Sequence, residues 1–561
     1  MTSKRATTFS FRSRTTPSSP RSRSPRNPSP RPVEGRIPDV SLSFRRLVLL
    51  LALLAAACDP RPEGSTATPL GARPNVLLVT IETLRADHVG SYGYARNTTP
   101  NLDRLAAEGA RFATTIAQAP FTLPSVTSLM TGRTPPHHGV RNHPATLAPE
   151  IETLAERFKQ AGYQTAAMTR HTWLRRKSGL DQGFDAYHNN KFAAGLDARS
   201  LSLAATDWLE ARDPEKPFFL WLHFLDPHLP YTPAYPYAVL FHEAHAEDES
   251  VKHLRAMMDR ERTSYEPTPY ADISGGPYYD LVLPYYAKNA ILLDFAFWRR
   301  SRGSIFFDEG SYAEVDLREV RDLYDGAIAY TDDNLARILK TLAELELEAS
   351  TIVAVTADHG EALGEHGLSF THDFTLYDEV LRVPLVIRYP GVIEPGIEIE
   401  QQVRLMDVGP TLLELAELKP FEGVEATSLA PLLEGGTLPF LNAFSESAPK
   451  RHMFPEHKRI YFDGIRGKWR SLRTERFKLI KIPHPDGDRY ELYDIVSDPE
   501  ESRNLYDELP GEAGKLVPLL RAWVEGDPAR DADTSAAEEG ELQGLDPAAI
   551  EQLKALGYIQ K

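Results

Sequence analysis

Apolar runs that alternate with helical segments constrain the fold of this chain more than any other feature. NVLLVTI (75–81), PFFLWLHFL (217–225) and STIVAVT (350–356) are almost wholly apolar and rich in β-branched or aromatic residues. Such runs are typical of strands that helices cover on both faces of a parallel sheet. Helical spacing lies between them, at 151–161 and at 319–345. The alternation predicts an α/β fold with a large, mostly parallel sheet flanked by helices.

The chain changes character after about residue 440. KWRSLRTERFKLIKI (468–482) alternates in polarity and RYELYDI (489–495) follows a Pro-Asp-Gly turn, which predicts antiparallel hairpins, with a helix near 511–525. Residues 235–318 have no clean period, and we interpret them as an insertion, either near a substrate entrance or purely structural. The expected organisation is a leader at 1–57, a tether at 58–73, a catalytic domain at 74–435 containing that insertion, and a small C-terminal antiparallel α+β subdomain with a tail at 436–561.

Residues that bind metals or transfer protons follow the three predicted strands directly. Glu82 and Thr83 come after the first strand, His228 comes shortly after the second, and Asp358 with His359 follows the third. In an open α/β sheet, ligands bind beyond the carboxyl ends of the strands. A single such residue is usually structural, but three strand ends of this kind predict a site at one edge of the sheet.

A fourth segment fits the same edge. FTLPSVTSLMTGR (121–133) predicts a helix that ends at Gly132, with Thr122 at or just before its N-terminus. Backbone N–H groups and the helix dipole favour an anion there, and a hydroxyl beside a metal is a candidate nucleophile. The alternative is that Thr122 only caps the helix, and spacing alone favours this alternative.

The N-terminal region has the layout of an export signal. Arg45 and Arg46 precede the apolar run LVLLLALLAAA (47–57), and small residues precede Cys58, the only cysteine. Ala-Ala-Ala-Cys looks like a bacterial lipoprotein box, so we expect a lipid on Cys58. The protein would then be anchored in the bacterial cell envelope, on the periplasmic or outward-facing side of the membrane. An ordinary signal peptide is the alternative.

The charge of the chain argues against one class of partner. The formal net charge is −16, whereas nucleic-acid binding needs clustered Lys and Arg. We expect no nucleic-acid partner.

From about Pro74 onwards the sequence resembles the sulfatase family, within the alkaline phosphatase superfamily. The matching segments are PNVLLVTIETLRADHVGSYGY, LPSVTSLMTGRTPPHHGV, DPHLPYTP, TADHGEALGEHG, LYDEVLRVPLVI and ELYDIVSDPEESRNL. The resemblance implies that Glu82, Asp358 and His359 hold one divalent cation, and that Thr83 stands where many relatives carry a second carboxylate. The donor set suits Zn²⁺ or Mn²⁺ slightly better than Ca²⁺.

The resemblance also implies residues that contact the substrate. His228 would bind the substrate anion or protonate the leaving-group oxygen, and His372 lies where relatives place a Lys or His against the anion. His138 and Asn142 follow the nucleophile helix and are candidates for shaping the substrate pocket, although a structural role is the simpler interpretation of both.

The sequence departs from the family at the nucleophile. The usual nucleophile is a formylglycine made from Cys or Ser, but the corresponding residue here is Thr122, whose oxidation would give a ketone. No formylglycine is therefore expected. Val126 replaces the usual Arg, and Glu82 replaces the usual Asp. The resulting Glu, Thr, Asp and His set resembles that of the phosphoethanolamine transferases, which attack phosphorus with Thr.

Three functions remain open on this sequence. The first is a metal-dependent hydrolase of sulfate or of phosphate or phosphonate esters, with Thr122 as nucleophile. Its substrate would be a sulfated or phosphorylated small molecule, glycan or lipid. The second is a phosphoethanolamine-type group transferase of the cell envelope. The third is a sulfatase-like binding protein without catalysis.

Overall fold

The computed structural model describes residues 73–143, 145–189, 197–229, 231–260, 264–273, 305–306, 317–448, 467–484 and 486–527. All of them belong to one compact unit that spans residues 66–561. The strands are β1 Asn75–Ile81, β2 Ala110–Ile116, β3 Gln164–Thr169, β4 Ala186–Asn189, β5 Phe218–Phe224, β6 Ile305–Phe306, β7 Thr351–Ala357, β8 Ala362–Leu363, β9 Leu368–Thr371, β10 Arg382–Arg388, β11 Ile397–Ile399, β12 Val403–Arg404, β13 Ala443–Glu446, β14 Arg470–Arg473, β15 Phe477–Ile482 and β16 Arg489–Asp494. The described α-helices are α1 Pro100–Ala107, α2 Thr122–Thr131, α3 Pro135–His138, α4 Leu154–Gln160, α5 Ala198–Ala211, α6 Glu249–Met258, α7 Leu317–Glu344, α8 Asp378–Leu381, α9 Val408–Leu415, α10 Ala430–Leu433 and α11 Pro510–Glu525.

A mixed sheet of nine strands forms the centre of the molecule. Its order is β11-β2-β10-β7-β1-β5-β3-β4, and β12 also pairs with β2. The run from β7 to β4 is parallel, whereas β10 is antiparallel to both of its neighbours. The predicted α/β fold with a mostly parallel sheet is confirmed.

The apolar composition of the middle strands explains why they lie buried at the centre of the sheet. Every residue of β1, β5 and β7 is buried, so helices and loops cover both faces of these strands. Removal of one large apolar side chain from water contributes roughly 1.5–3 kcal/mol, and most residues of these strands carry such side chains. They form a rigid platform, and the candidate site lies at its carboxyl edge.

A four-stranded antiparallel sheet, in the order β13-β14-β15-β16, follows in the C-terminal part. Helix α11 packs on it through a small apolar core that contains Leu472, Leu479, Leu492 and Leu520. The predicted hairpins and the predicted helix near 511–525 are confirmed. Strand β13 was not predicted, because its four residues carry too short a pattern.

Several sequence-based expectations fall on residues outside the described ranges. These are the leader at 1–57, the lipid site at Cys58, nearly all of the tether at 58–73, much of the 235–318 insertion and the tail after residue 527. The described parts of the insertion include α6 and the first two residues of the long helix α7. Among the described residues, no helix is both long and apolar enough to cross a membrane.

Candidate active site

Strand register brings the first candidate residues together. Ile81, the last residue of β1, pairs with Ala357 of β7 on one side and with Phe224 of β5 on the other. The next residues along β1 and β7 are Glu82 and Asp358, which therefore emerge side by side at the same sheet edge. The prediction that strand ends converge there is confirmed for this pair.

Glu82 is the centre of a buried hydrogen-bond chain. The Thr122 hydroxyl donates to Glu82 Oε1 at 2.7 Å, and His223 Nε2 donates to Glu82 Oε2 at 2.5 Å. The Nδ1 atom of His223 lies 2.7 Å from the Thr80 hydroxyl, which fixes the orientation of the imidazole. Burial alone would raise the pKa of Glu82, but the neighbouring His223 imidazole, which also donates a hydrogen bond to this carboxylate, outweighs burial and holds the pKa well below its usual value. Glu82 is therefore an anion at neutral pH.

Asp358 and His359 complete a cluster around Glu82. His359 Nε2 lies 3.3 Å from Asp358 Oδ2 and 3.4 Å from Glu82 Oε1. Burial raises the pKa of Asp358 to about 6, and the charge of Glu82 adds to this effect. Burial opposes a charge on His359, but the two carboxylates outweigh it and raise the pKa of that imidazole to about 9. The two carboxylates thus stabilise a positive charge at the centre of the cluster.

The loop that carries His359 is held by a close backbone approach. His359 Nδ1 donates to the Gly360 carbonyl at 2.9 Å. A side-chain carbon at Gly360 would lie 2.0 Å from the carbonyl oxygen of Glu379, so only glycine fits there. This contact fixes the direction in which His359 faces the cluster.

Thr122 is the first residue of helix α2, which lies against the same cluster. The alternative that Thr122 merely caps this helix is wrong. Phe121 is the N-cap residue, no side chain caps the helix, and the Thr122 hydroxyl bonds Glu82 instead. The side chain is fully buried at the helix N-terminus, where the dipole favours an approaching anion.

Thr83 has a strained backbone next to Glu82. Its φ is 53°, in the left-handed region that a β-branched residue rarely adopts. Two hydrogen bonds hold this conformation: the Thr83 amide donates to Asp358 Oδ1 at 3.2 Å, and the Tyr324 hydroxyl donates to the Thr83 carbonyl at 2.7 Å. The Thr83 hydroxyl is buried, and no described residue forms a hydrogen bond with it. The strain is typical of a residue that the site holds in place.

Imidazoles line the far side of the cluster. The His372 ring centroid is 4.4 Å from that of His359 and 5.3 Å from that of His228. His171 stands 5.9 Å from His228 and 6.3 Å from His223, measured between ring centroids. The structure therefore brings the predicted residues His228 and His372 together, and it adds His171 and His223, which sequence reasoning missed.

These imidazoles differ in charge. Burial lowers the pKa of His171 to about 3 and also lowers that of His228, so both are neutral at pH 7. Burial acts against a charge on His372 as well, but Glu361 outweighs it and raises the pKa of this residue. Glu361 Oε1 accepts from His372 Nδ1 at 3.1 Å, and the Tyr231 hydroxyl donates to Glu361 Oε2 at 3.3 Å. Glu361 was also missed by sequence reasoning.

The two remaining candidates lie beside helix α2. Both ring nitrogens of His138 are engaged, one with the Ser128 hydroxyl at 3.0 Å and one with the Val140 amide at 3.0 Å. Burial lowers the pKa of His138 to about 3. These contacts favour the structural alternative for His138. Asn142 is half-buried, and its side-chain carbonyl has no hydrogen-bond partner among the described residues.

The donor atoms fit a divalent cation. Glu82, Asp358 and His359 each offer a ligand atom, and these atoms lie within 4.8 Å of one another. Within the described ranges, neither Asp358 Oδ2 nor His359 Nε2 has a hydrogen-bond partner, although both are buried. Buried polar atoms without hydrogen bonds are costly unless a ligand uses them. One imidazole and two carboxylates suit Zn²⁺ or Mn²⁺.

The fold thus places a buried carboxylate–imidazole cluster against the N-terminus of helix α2. Comparison with known proteins gives the family. The family model described as "Sulfatase" matches residues 74–418, more than half of the chain, and a second model, "N-sulphoglucosamine sulphohydrolase, C-terminal", matches residues 364–516. The chain belongs to the sulfatase family.

Individual relatives agree with this assignment. An N-acetylglucosamine-6-O-sulfatase from Bacteroides thetaiotaomicron is 28% identical over 512 residues, which cover 82% of this chain and 87% of the relative. A solved protein in complex with its substrate D-glucosamine-2-N,6-O-disulfate matches with a TM-score of 0.61 and 23% identity, covering 83% of this chain and 100% of the other. The phosphonate monoester hydrolase of Agrobacterium radiobacter matches with a TM-score of 0.57 and 24% identity, covering 80% of this chain and 96% of the other. Both solved structures share the fold.

Proposed function

We propose that this sulfatase-family hydrolase cleaves monoesters of sulfate, or of phosphate or phosphonate, and that Thr122 is its nucleophile in place of formylglycine. The observation that carries the proposal is the 2.7 Å hydrogen bond from the Thr122 hydroxyl to the Glu82 carboxylate at the N-terminus of α2. A hydroxyl in this position has an anionic acceptor for its proton, and the helix dipole faces the negatively charged ester.

The residues of the site support a two-step reaction. Thr122 Oγ1 bonds to the sulfur or phosphorus atom and its proton passes to Glu82 Oε1, while the leaving-group oxygen departs with a proton from His372. A water molecule then attacks the same sulfur or phosphorus atom and gives its proton to His372. Thr122 Oγ1 recovers its proton from Glu82, which restores the starting state. His228 contacts the ester oxygens throughout.

Glu82, Asp358 and His359, with Thr83 beside them, would hold a divalent cation, either Zn²⁺, Mn²⁺ or Ca²⁺. Such a cation lowers the pKa of a neighbouring hydroxyl and neutralises charge on the ester. The strained conformation of Thr83 keeps the loop after β1 closed against Asp358. The ligand set is thereby positioned before any substrate arrives.

The relatives suggest the substrate class. An N-acetylglucosamine-6-O-sulfatase among them, and a solved relative that binds a disulfated glucosamine, support a sulfated glycan. The similarity to a phosphonate monoester hydrolase makes phosphonate and phosphate esters the matched alternatives. A threonine sulfate cannot eliminate as a formylglycine hydrate does, so it must be hydrolysed at sulfur, whereas a threonine phosphate is a familiar intermediate.

The test is a comparison of esters with one nucleophile variant. The full chain, loaded with Zn²⁺, Mn²⁺ or Ca²⁺, is assayed against matched aryl sulfate, aryl phosphate and aryl phosphonate. Thr122→Ala should lower kcat/KM for the best ester by roughly 10⁴-fold or more, because the nucleophile is gone. Thr131→Ala is the matched control, since its hydroxyl bonds the Thr127 carbonyl of the same helix. Undiminished turnover in Thr122→Ala would remove the proposed nucleophile.

The absence of turnover would also be informative. Metal bound without hydrolysis of any ester would favour the group transferase, which needs an acceptor. Neither metal nor hydrolysis would favour a binding protein.

We further propose that the chain is anchored to the outer side of a bacterial membrane by a lipid on Cys58. The support is the sequence layout of Arg45, Arg46 and the apolar run 47–57 before this cysteine. Cys58→Ser should move the protein from the membrane fraction to the soluble fraction of the envelope. A variant that stays in the membrane fraction would contradict the lipid anchor.

A further inference from the structure

A buried lysine joins the four-stranded C-terminal sheet to helix α8. Lys478 lies in β15, and its side chain is fully buried. Its ammonium group donates to Asp378 Oδ1 at 2.7 Å and lies 2.9 Å from Glu501 Oε1. Asp378 is the first residue of α8, and its backbone amide donates to the Glu501 carboxylate. Residues from three separate segments therefore converge on one point inside the protein.

Charge holds this group together. Arg473 Nη2 in β14 donates to Asp378 Oδ2 at 2.9 Å, so Asp378 lies between two cations. Burial opposes ionisation of Asp378, but Arg473 and Lys478 outweigh it and hold the pKa of Asp378 well below its usual value. An intact buried ion pair adds little to stability compared with apolar side chains, whereas a buried charge without its partner is costly. The main effect of the group is therefore to fix the position of Asp378.

Helix α8 in turn contacts residues 358–361, which we call the metal loop because they carry two of the candidate cation ligands. The Gly360 amide donates to the Val380 carbonyl at 3.0 Å, and the Glu361 amide donates to the Glu379 carbonyl at 3.1 Å. The same Glu379 oxygen is the backbone atom that excludes a side chain at Gly360. The metal loop therefore rests on the helix whose first residue is fixed by the buried charges.

We propose that Lys478 is a positioning residue for the active site. Acting through Asp378 and α8, it holds the metal loop in the conformation that presents Asp358 and His359 to the cation. The inference rests on the proposed function, because the metal loop matters to catalysis only if it holds that cation. The C-terminal sheet then prepares the site, although it supplies none of the residues assigned to the reaction.

Amide hydrogen exchange tests the position of the metal loop without metal or substrate. The metal-free full chain is incubated in D₂O, and mass spectrometry follows the exchange of peptic peptides that cover the metal loop. Lys478→Met keeps the length of the side chain and removes its charge, so the Gly360 and Glu361 amides should exchange about 10-fold faster or more. Lys481→Met is the matched control. Lys481 lies on the same strand but pairs with Asp488 at 2.8 Å, so its loss should leave this exchange unchanged.

A second control separates positioning from a general loss of stability. Leu520→Ala removes a buried side chain from the core of the C-terminal sheet, so it should lower Tm but leave the local opening of the metal loop unchanged. The Kd for Zn²⁺ should rise about 10-fold in Lys478→Met and stay unchanged in Leu520→Ala, because only the first variant disturbs the support of the metal ligands. Wild-type exchange and wild-type Zn²⁺ affinity in Lys478→Met would overturn the inference, even if Tm fell. Equal acceleration of exchange in Lys478→Met and Leu520→Ala would also overturn it.

A third variant covers the case in which Lys478→Met fails to fold, as judged by circular dichroism. Asp378→Asn then takes its place, because it keeps the shape of the side chain and removes only the charge, and the same comparison with the wild type decides. The outcome is distinguishable from that of the proposed function. A wild type that binds no Zn²⁺, or an active Thr122→Ala, would contradict the proposed cation or nucleophile, while the exchange measurement still decides the role of Lys478.

Discussion

His223 is predicted to control the affinity of the site for metal, although it touches no substrate. It lies inside β5, fully buried, and bridges the Thr80 hydroxyl and Glu82 Oε2. His223→Leu keeps a similar volume but removes the donor to a buried carboxylate. His223→Gln keeps an N–H group that can still reach Glu82.

The size of the effect follows from the type of bond. A hydrogen bond to a charged group contributes about 1.5–3 kcal/mol, and loss of a residue that orients a metal ligand typically costs about 10- to 100-fold in metal affinity. Each 1.36 kcal/mol is about a factor of ten, so the two estimates agree. His223→Leu should therefore raise the Kd for Zn²⁺ by about 10- to 100-fold, and His223→Gln should recover much of the loss.

The assay is competition for Zn²⁺ with a chromophoric chelator, combined with thermal unfolding of the metal-free chains. A purely structural role would lower Tm in both variants and leave the Kd for Zn²⁺ unchanged. Equal Zn²⁺ affinity in the wild type and in His223→Leu would refute the reasoning, because the bond to Glu82 would then contribute nothing to the site.

Three further predictions concern the surroundings of the site. Glu361→Gln removes the charge that raises the pKa of His372, so the alkaline limb of the kcat–pH profile should move to lower pH; an unmoved limb would exclude His372 as the acid. Burial opposes ionisation of Glu446, but buried cations outweigh it and lower its pKa to about 2, so its stabilisation is present above about pH 4.5 and is lost as the pH falls towards 2. Glu446→Gln should cost about 3 kcal/mol in urea unfolding at pH 7 and flatten that pH dependence, whereas a stability like that of the wild type at pH 7 would show that the ion pairs contribute nothing. Gly360→Ala should cost about 1–3 kcal/mol and weaken Zn²⁺ binding, because its methyl group meets backbone at 2.0 Å. The control Gly514→Ala, with open space around it, should bind Zn²⁺ normally, and equal Zn²⁺ affinity in the two variants would show that the Gly360 contact does not hold the metal loop.

The sequence was sufficient to predict the platform and its edge. Periodicity located β1, β5 and β7, and the residues that follow them included Glu82, Asp358 and His359. Those predictions succeeded because continuous apolar runs mark strands buried on both faces. The antiparallel direction of β10 could not be predicted from the sequence, because buried strands show the same apolar pattern whether they run parallel or antiparallel to their neighbours.

His171 and His223 show two different reasons for a missed residue. His171 lies two residues beyond the end of β3. The rule that ligands bind beyond the carboxyl ends of strands, which identified Asp358, also covers His171, but it was not applied to β3. His223 lies within the run FFLWLHF, where a histidine among seven buried residues was a visible but unused signal. Its partnership with Glu82 depends on register between β1 and β5, which the sequence does not encode locally.

The hydrogen bond between Thr83 and Asp358 closes a loop of 275 residues, and this separation determines when the site can form. A chain made from its N-terminus presents Glu82 and Thr122 long before Asp358, His359 and His372 exist. Contacts between residues so far apart in the sequence form slowly, because the intervening chain loses conformational entropy before the contact can stabilise it. Metal loading is therefore expected late in biosynthesis, and a chain that stops between residues 122 and 358 carries Glu82 and Thr122 without Asp358 and His359.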